Sequence, residues 1–154
     1  MMYTILDIIA KLIEIDKESL ELYKTLKESS NVNQRVKLAA GVFAREEERH
    51  IKVYEDLKNE MSKFEDITID FDIYDSVSKI ILEFKKGMTF YEVDEVKELL
   101  NNTLAFRKKK VALIISIQGL LVRKIEDTKT SSYKALTRII AEEEEHIKMI
   151  ETFL

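Results

Sequence analysis

The stretch Glu46-Glu47-Glu48-Arg49-His50-Ile51-Lys52-Val53-Tyr54-Glu55 returns near the C-terminus as Glu142-Glu143-Glu144-Glu145-His146-Ile147-Lys148-Met149-Ile150-Glu151, with seven of ten positions identical. On an α-helix, residues three apart share a face, with Cβ atoms roughly 5–6 Å apart. Glu47 with His50, and Glu143 with His146, would therefore each form a two-pronged chelating unit. These pairs use both histidines of the chain. Carboxylate and neutral imidazole at helical spacing suit iron, manganese or zinc, and in helix bundles such ligands project inward from facing helices.

The residues around each pair place it on an apolar stripe. Val36, Ala40, Phe43, Glu47, His50, Tyr54, Leu57 and Met61 step by fours and threes along a helix expected over residues 33–63. Leu136, Ile139, Glu143, His146, Ile150 and Phe153 do the same along a last helix that follows the polar break 127–132 and reaches the C-terminus. A first helix is expected over residues 4–28, with the face Ile9, Leu12, Asp16, Leu20, Tyr23 and Leu26. Asp16 interrupts that face, and a carboxylate there needs a partner because burying an unpaired charge is costly. The polar turn 29–33 supplies helix N-caps before the second helix.

Residues 64–91 carry mixed signals and are expected to form a long crossover, with a short helix over 76–86 ended by Gly87. A third long helix is expected over 93–126, with the inward series Leu100, Leu104, Arg107, Val111, Ile114, Gln118, Leu121 and Ile125. The chain thus reads as two helical hairpins in tandem, which internal duplication accounts for most simply.

Composition agrees with a single all-α domain spanning residues 1–154. The chain is 45% hydrophobic and 35% charged, with no proline and three glycines, so it has few tight-turn residues and enough apolar content for one core. The net charge of −4 arises from nearly balanced acids and bases, and the basic run Arg107-Lys108-Lys109-Lys110 lacks the glycine or aromatic interleaving of a nucleic-acid surface. Absence of cysteine excludes disulfides, thiolate metal sites and a cysteine nucleophile, and fits a reducing cytosol. Residues 1–10 have no basic leader and do not read as a signal peptide. The apolar run 111–122, broken by Ser116 and Gln118, is too short to cross a bilayer. A cytoplasmic location is expected, with neither nucleic acid nor membrane as partner. No phosphate-binding loop or serine motif with a nearby base is present.

The arrangement resembles the rubrerythrin and ferritin-like superfamily over nearly the whole chain. In that family a four-helix bundle holds two irons through a Glu on helix one, Glu-x-x-His on helix two, a Glu on helix three and Glu-x-x-His on helix four. The resemblance places Asp16, seven residues before Tyr23, at the first ligand position, and Glu47, His50, Glu143 and His146 at the paired motifs, the two glutamates in the bridging role. Helix three departs from the pattern: Arg107 stands where the second terminal glutamate belongs, and Ile114 where the repeat has Tyr23. An arginine stays protonated and has no acceptor with which to ligate a cation.

Setting Asp16, Glu47 and Glu143 against Arg107 leaves a charge of −2, which one divalent ion would neutralise. The expectation is a degenerate one-metal site, iron before manganese or zinc, held by Asp16, Glu47, His50, Glu143 and His146. The competing expectation is a metal-free bundle whose former site is an Arg107–carboxylate network; a third places Arg107 at the bundle surface. The resemblance implies oxidoreductase activity on peroxide, dioxygen or ferrous iron. Because the chain lacks the cysteine-ligated rubredoxin module, such activity needs an external electron donor. A homodimer is expected by analogy and from the surplus apolar length of 111–122. Tyr23 and Tyr54 are candidates to hydrogen-bond a ligand carboxylate.

Overall fold

The computed structural model describes residues 2–88 and 93–154. The described chain is mostly helical: α1 (Ile5–Glu28), α2 (Gln34–Met61), α3 (Phe71–Lys86), α4 (Val96–Leu120) and α5 (Ser131–Glu151). Two two-residue strands, β1 (Tyr3–Thr4) and β2 (Thr68–Ile69), pair antiparallel and tie the start of α1 to the chain leaving α2.

Local chemistry sets the helix ends. Thr4 Oγ1 accepts from the Leu6 N–H at 3.2 Å while the Asp7 carboxylate accepts from the Thr4 N–H at 2.8 Å, a reciprocal cap on α1. Asn33 Oδ1 accepts from the Val36 N–H at 3.0 Å and starts α2, and Thr130 Oγ1 accepts from the Tyr133 N–H at 3.2 Å and starts α5. Gly87 ends α3 as its C-cap.

Packing divides the bundle into layers along its length. One apolar cluster joins Ile8, Leu12, Tyr54, Leu57, Ile114, Ile117, Leu136 and Ile139. The other joins Tyr23, Val36, Ala40, Phe43, Leu99 and Ile150. Each of the four long helices contributes to both clusters, so the chain direction follows from the order in which it meets them. α1 and α5 run from the first cluster to the second, whereas α2 and α4 run from the second to the first. α1 pairs with α2, α4 pairs with α5, and α3 packs on α1 and α4 as it carries the chain back along the bundle.

Several sequence expectations change. The crossover helix starts at Phe71, not at residue 76, directly after the β2 pairing; Asp70 holds the N-cap position without a side-chain cap bond, its carboxylate 3.4 Å from Arg123. The expected end of the crossover at Tyr91 lies outside the described residues. The third long helix stops at Leu120 rather than 126, and a 3-10 turn, Ile125–Lys129, leads into α5. Its buried stripe is Leu99, Thr103, Arg107, Lys110, Ile114 and Ile117, so the expected inward series slips out of phase at both ends, and Ile125 is 78% exposed. Phe153, expected on the inward face of the last helix, is 69% exposed beyond the end of α5. Within the 111–122 run, Val111, Leu113, Ile114 and Ile117 are buried inside the chain, and only Ile115 and Leu120 remain as exposed large apolar residues. The surplus that motivated a homodimer is therefore mostly absorbed by the core. Among the described residues, no helix is long and apolar enough to cross a membrane.

Candidate functional site

Between the two apolar clusters lies a charged layer. α1 contributes Asp16, α2 contributes Glu47 and His50, α4 contributes Arg107 and Lys110, and α5 contributes Glu143 and His146; all are buried, with at most 3% exposure. All five sequence candidates are thus brought to one level of the bundle. The helical periodicity that puts Glu47 with His50 and Glu143 with His146 on their stripes also puts Arg107 and Lys110, three residues apart, on the facing stripe of α4.

Glu143 is the hub. One carboxylate oxygen accepts from the Lys110 ammonium at 2.8 Å and from the Tyr54 hydroxyl, and the other accepts from the Arg107 guanidinium at 3.2 Å. Lys110 also donates to Asp16, whose same oxygen lies 3.8 Å from Arg107. Arg107 closes the network by pairing with Glu47. Tyr54 therefore has the carboxylate-anchoring role foreseen for it, whereas the Tyr23 hydroxyl pairs with Thr103 Oγ1 at 2.9 Å. The surface placement of Arg107 is overturned: its side chain is fully enclosed.

Lys110 is the residue that sequence reasoning missed. It sits at the end of a run of four basic residues, which reads as a solvated face, and only the phase of α4 turns it inward. A signal was present in the spacing, because Arg107-x-x-Lys110 repeats the i,i+3 step of the two Glu-x-x-His pairs. Its inclusion corrects the charge count: three carboxylates face two protein cations, and the layer carries −1 rather than −2.

Electrostatics follow from burial and these contacts. Burial by itself would raise the Glu143 pKa, but the Lys110 ammonium and Arg107 guanidinium outweigh it and hold the carboxyl well below the usual range. Burial likewise opposes charge on Arg107, and Glu143 and Asp16 more than reverse that, so the guanidinium is held charged. Burial lowers the His50 pKa, with Glu143 opposing and Lys110 reinforcing the effect. His146 is pushed down to about 3, first by burial and then by Arg107 and His50. Tyr54 is raised well above its ordinary value by burial and by Glu143 and Asp16.

The two imidazoles meet edge to face, with ring centroids 4.7 Å apart at 77°. None of their four nitrogens has a hydrogen-bond partner among the described residues, and neither has Asp16 Oδ2 or either carboxylate oxygen of Glu47, whose contact with Arg107 is an ion pair. His50 Nδ1 stands 3.7 Å from Glu143 and its Nε2 3.8 Å from Glu142. This donor set does not fit a resident divalent ion in the arrangement present. Both oxygens of Glu143 and one of Asp16 already accept from protein cations, and an added ion would have to enter beside an ammonium and a guanidinium. Among the described residues no group of three acidic, histidine or cysteine side chains converges to hold a metal. Comparison with protein-family models, with characterised proteins and with solved structures finds no match to this chain.

Proposed function

We propose that this chain is a ferritin-like helical bundle whose carboxylate and histidine centre is closed by its own cations, and that it works by binding rather than by metal-dependent redox chemistry. The observation that carries this reading is Lys110, fully buried and donating to both Asp16 and Glu143. With Arg107 on Glu47 and Glu143, all three carboxylates are met by protein cations, which leaves the layer at −1 without any metal ion. Burying this many charges is costly unless they are paired and hydrogen-bonded, and here the pairing is internal to the chain.

The test is elemental analysis of protein purified without chelators, together with thermal melts with and without EDTA. The expected result is iron, manganese and zinc summing to well under one equivalent, an EDTA-insensitive melt, and no peroxide-dependent oxidation of added ferrous iron above buffer. One tightly bound equivalent, removed by chelator with loss of stability, would overturn the proposal.

A second reading is favoured by the unpartnered nitrogens of His50 and His146 and by Glu47 Oε2. In it, a single iron, manganese or zinc ion held by these residues with Asp16 or Glu143 displaces Lys110, and an oxidoreductase activity with an external electron donor becomes accessible. The same metal analysis separates the two readings.

A further inference from the structure

Where α3 crosses α1 and α4, the helices leave a cavity of about 320 Å³, separate from the charged layer. Its depth is formed by the hydrogen-bonded pair Tyr23 and Thr103, both buried. Its apolar wall includes Phe84 and Phe106, with ring centroids 5.8 Å apart at 47°. Glu83 and Lys109 also line it, and the two differ in an informative way. Glu83 is paired with Lys86 at 3.4 Å, whereas Lys109 has no carboxylate within 4.0 Å among the described residues.

A volume at the lower end of the ~300–1,000 Å³ range, a mostly apolar lining and a few polar groups are the ordinary make-up of a small-ligand site. The Lys109 ammonium, without a carboxylate partner among the described residues, sets the sign of the ligand's head group. We propose that this cavity binds a small amphipathic carboxylate, with a compact apolar body against Phe84 and Phe106 and its carboxylate on Lys109. The inference goes beyond the reading of the charged layer and stands whether or not that layer admits a metal. Binding here is reversible and non-covalent, favoured by burial of the ligand's apolar body and steered by the ammonium.

The experiment uses the full chain and 1-anilinonaphthalene-8-sulfonate as a fluorescent amphipathic anion, with octanoate, octanol and octylamine as competitors. Saturable binding of one probe per chain is expected, displaced most effectively by octanoate and least by octylamine. Lys109→Glu should weaken octanoate by roughly fivefold, the scale of an exposed ion pair, and narrow or reverse its preference over octylamine. Ala105→Trp, which fills the cavity, should abolish probe binding while the helical circular dichroism is retained. Non-saturable binding, equal competition by octanoate and octylamine, or probe binding indifferent to Ala105→Trp would each overturn the proposal. If Ala105→Trp fails to fold, the Lys109→Glu selectivity alone decides.

Discussion

Replacing Lys110 by Met keeps most of the side chain's length and removes its charge. Lys110 is fully buried, and its ammonium donates to Asp16 and, at 2.8 Å, to Glu143. The variant leaves three carboxylates facing Arg107 alone, so the layer goes from −1 to −2 in a water-poor interior. Removing one partner of a buried ion pair costs about 3–5 kcal/mol, because the remaining charge is uncompensated. At roughly 2–4 °C per kcal/mol for a domain of this size, the melting temperature should fall by about 6–20 °C. The loss should also depend on pH. Lys110 and Arg107 hold the folded-state pKa of Glu143 below its unfolded value, so its stabilisation is complete above the ordinary carboxylate range near ~4.3 and is lost as pH falls through the folded value. Lys110→Met relaxes that depression. The gap between wild type and variant should therefore be widest near neutrality and narrow in acid, where protonation relieves the excess negative charge. Urea titrations from pH 7 to pH 2 measure this, with exposed Lys108→Met and Lys109→Met as controls expected to change stability by less than about 0.5 kcal/mol. A loss below about 1 kcal/mol for Lys110→Met, constant across that range, would refute the placement of Lys110 in the charged layer.

Tyr54→Phe removes the hydroxyl that donates to Glu143 and should cost about 1.5–3 kcal/mol in urea unfolding, the range for a hydrogen bond to a charged group. His146 has a folded pKa of about 3 against an unfolded value near ~6.5; it favours the folded state fully above that upper value, and the contribution declines as pH falls toward the lower one. Burial and the neighbouring Arg107 and His50 lower it while Glu143 opposes them, so His146→Gln should flatten the stability profile between pH 6.5 and 4, and an unchanged acid slope would count against this. Arg107→Glu combined with Lys110→Ala removes both protein cations and supplies the acid that the family pattern has on helix three; equilibrium dialysis should then find ferrous or zinc ions bound where the wild type binds none. A folded double variant that takes up no metal would show that the alignment of helix three is wrong.

Much of the architecture was legible because its signals are local. The 3.6-residue stripes, the cap residues Thr4 and Asn33 and the duplicated Glu-x-x-His motif required no knowledge of distant contacts to place the all-α class, the first two helices and the inward direction of Glu47, His50, Glu143 and His146. α4 was harder because its basic run and its apolar run overlap in phase. Leu100 and Leu104 look as suitable for the core as Leu99 and Thr103, and sequence periodicity alone did not decide between stripes one residue apart. The packing of α4 against α1 and α5 did so, because the stripe that brings Arg107 and Lys110 onto Asp16, Glu47 and Glu143 is the one that pairs every buried charge.

The amino-acid sequence by itself determined where ionisable side chains interrupt apolar helix faces, since that depends only on residue type and helical period. It left open what meets them. Asp16 and Lys110 are 94 positions apart, and Arg107 and Glu143 are 36 apart. Only the tertiary packing of four helices decides that these charges share one buried layer, and there the low dielectric makes pairing a strong requirement. The repeated motif located the layer; the fold placed two of the chain's own cations inside it.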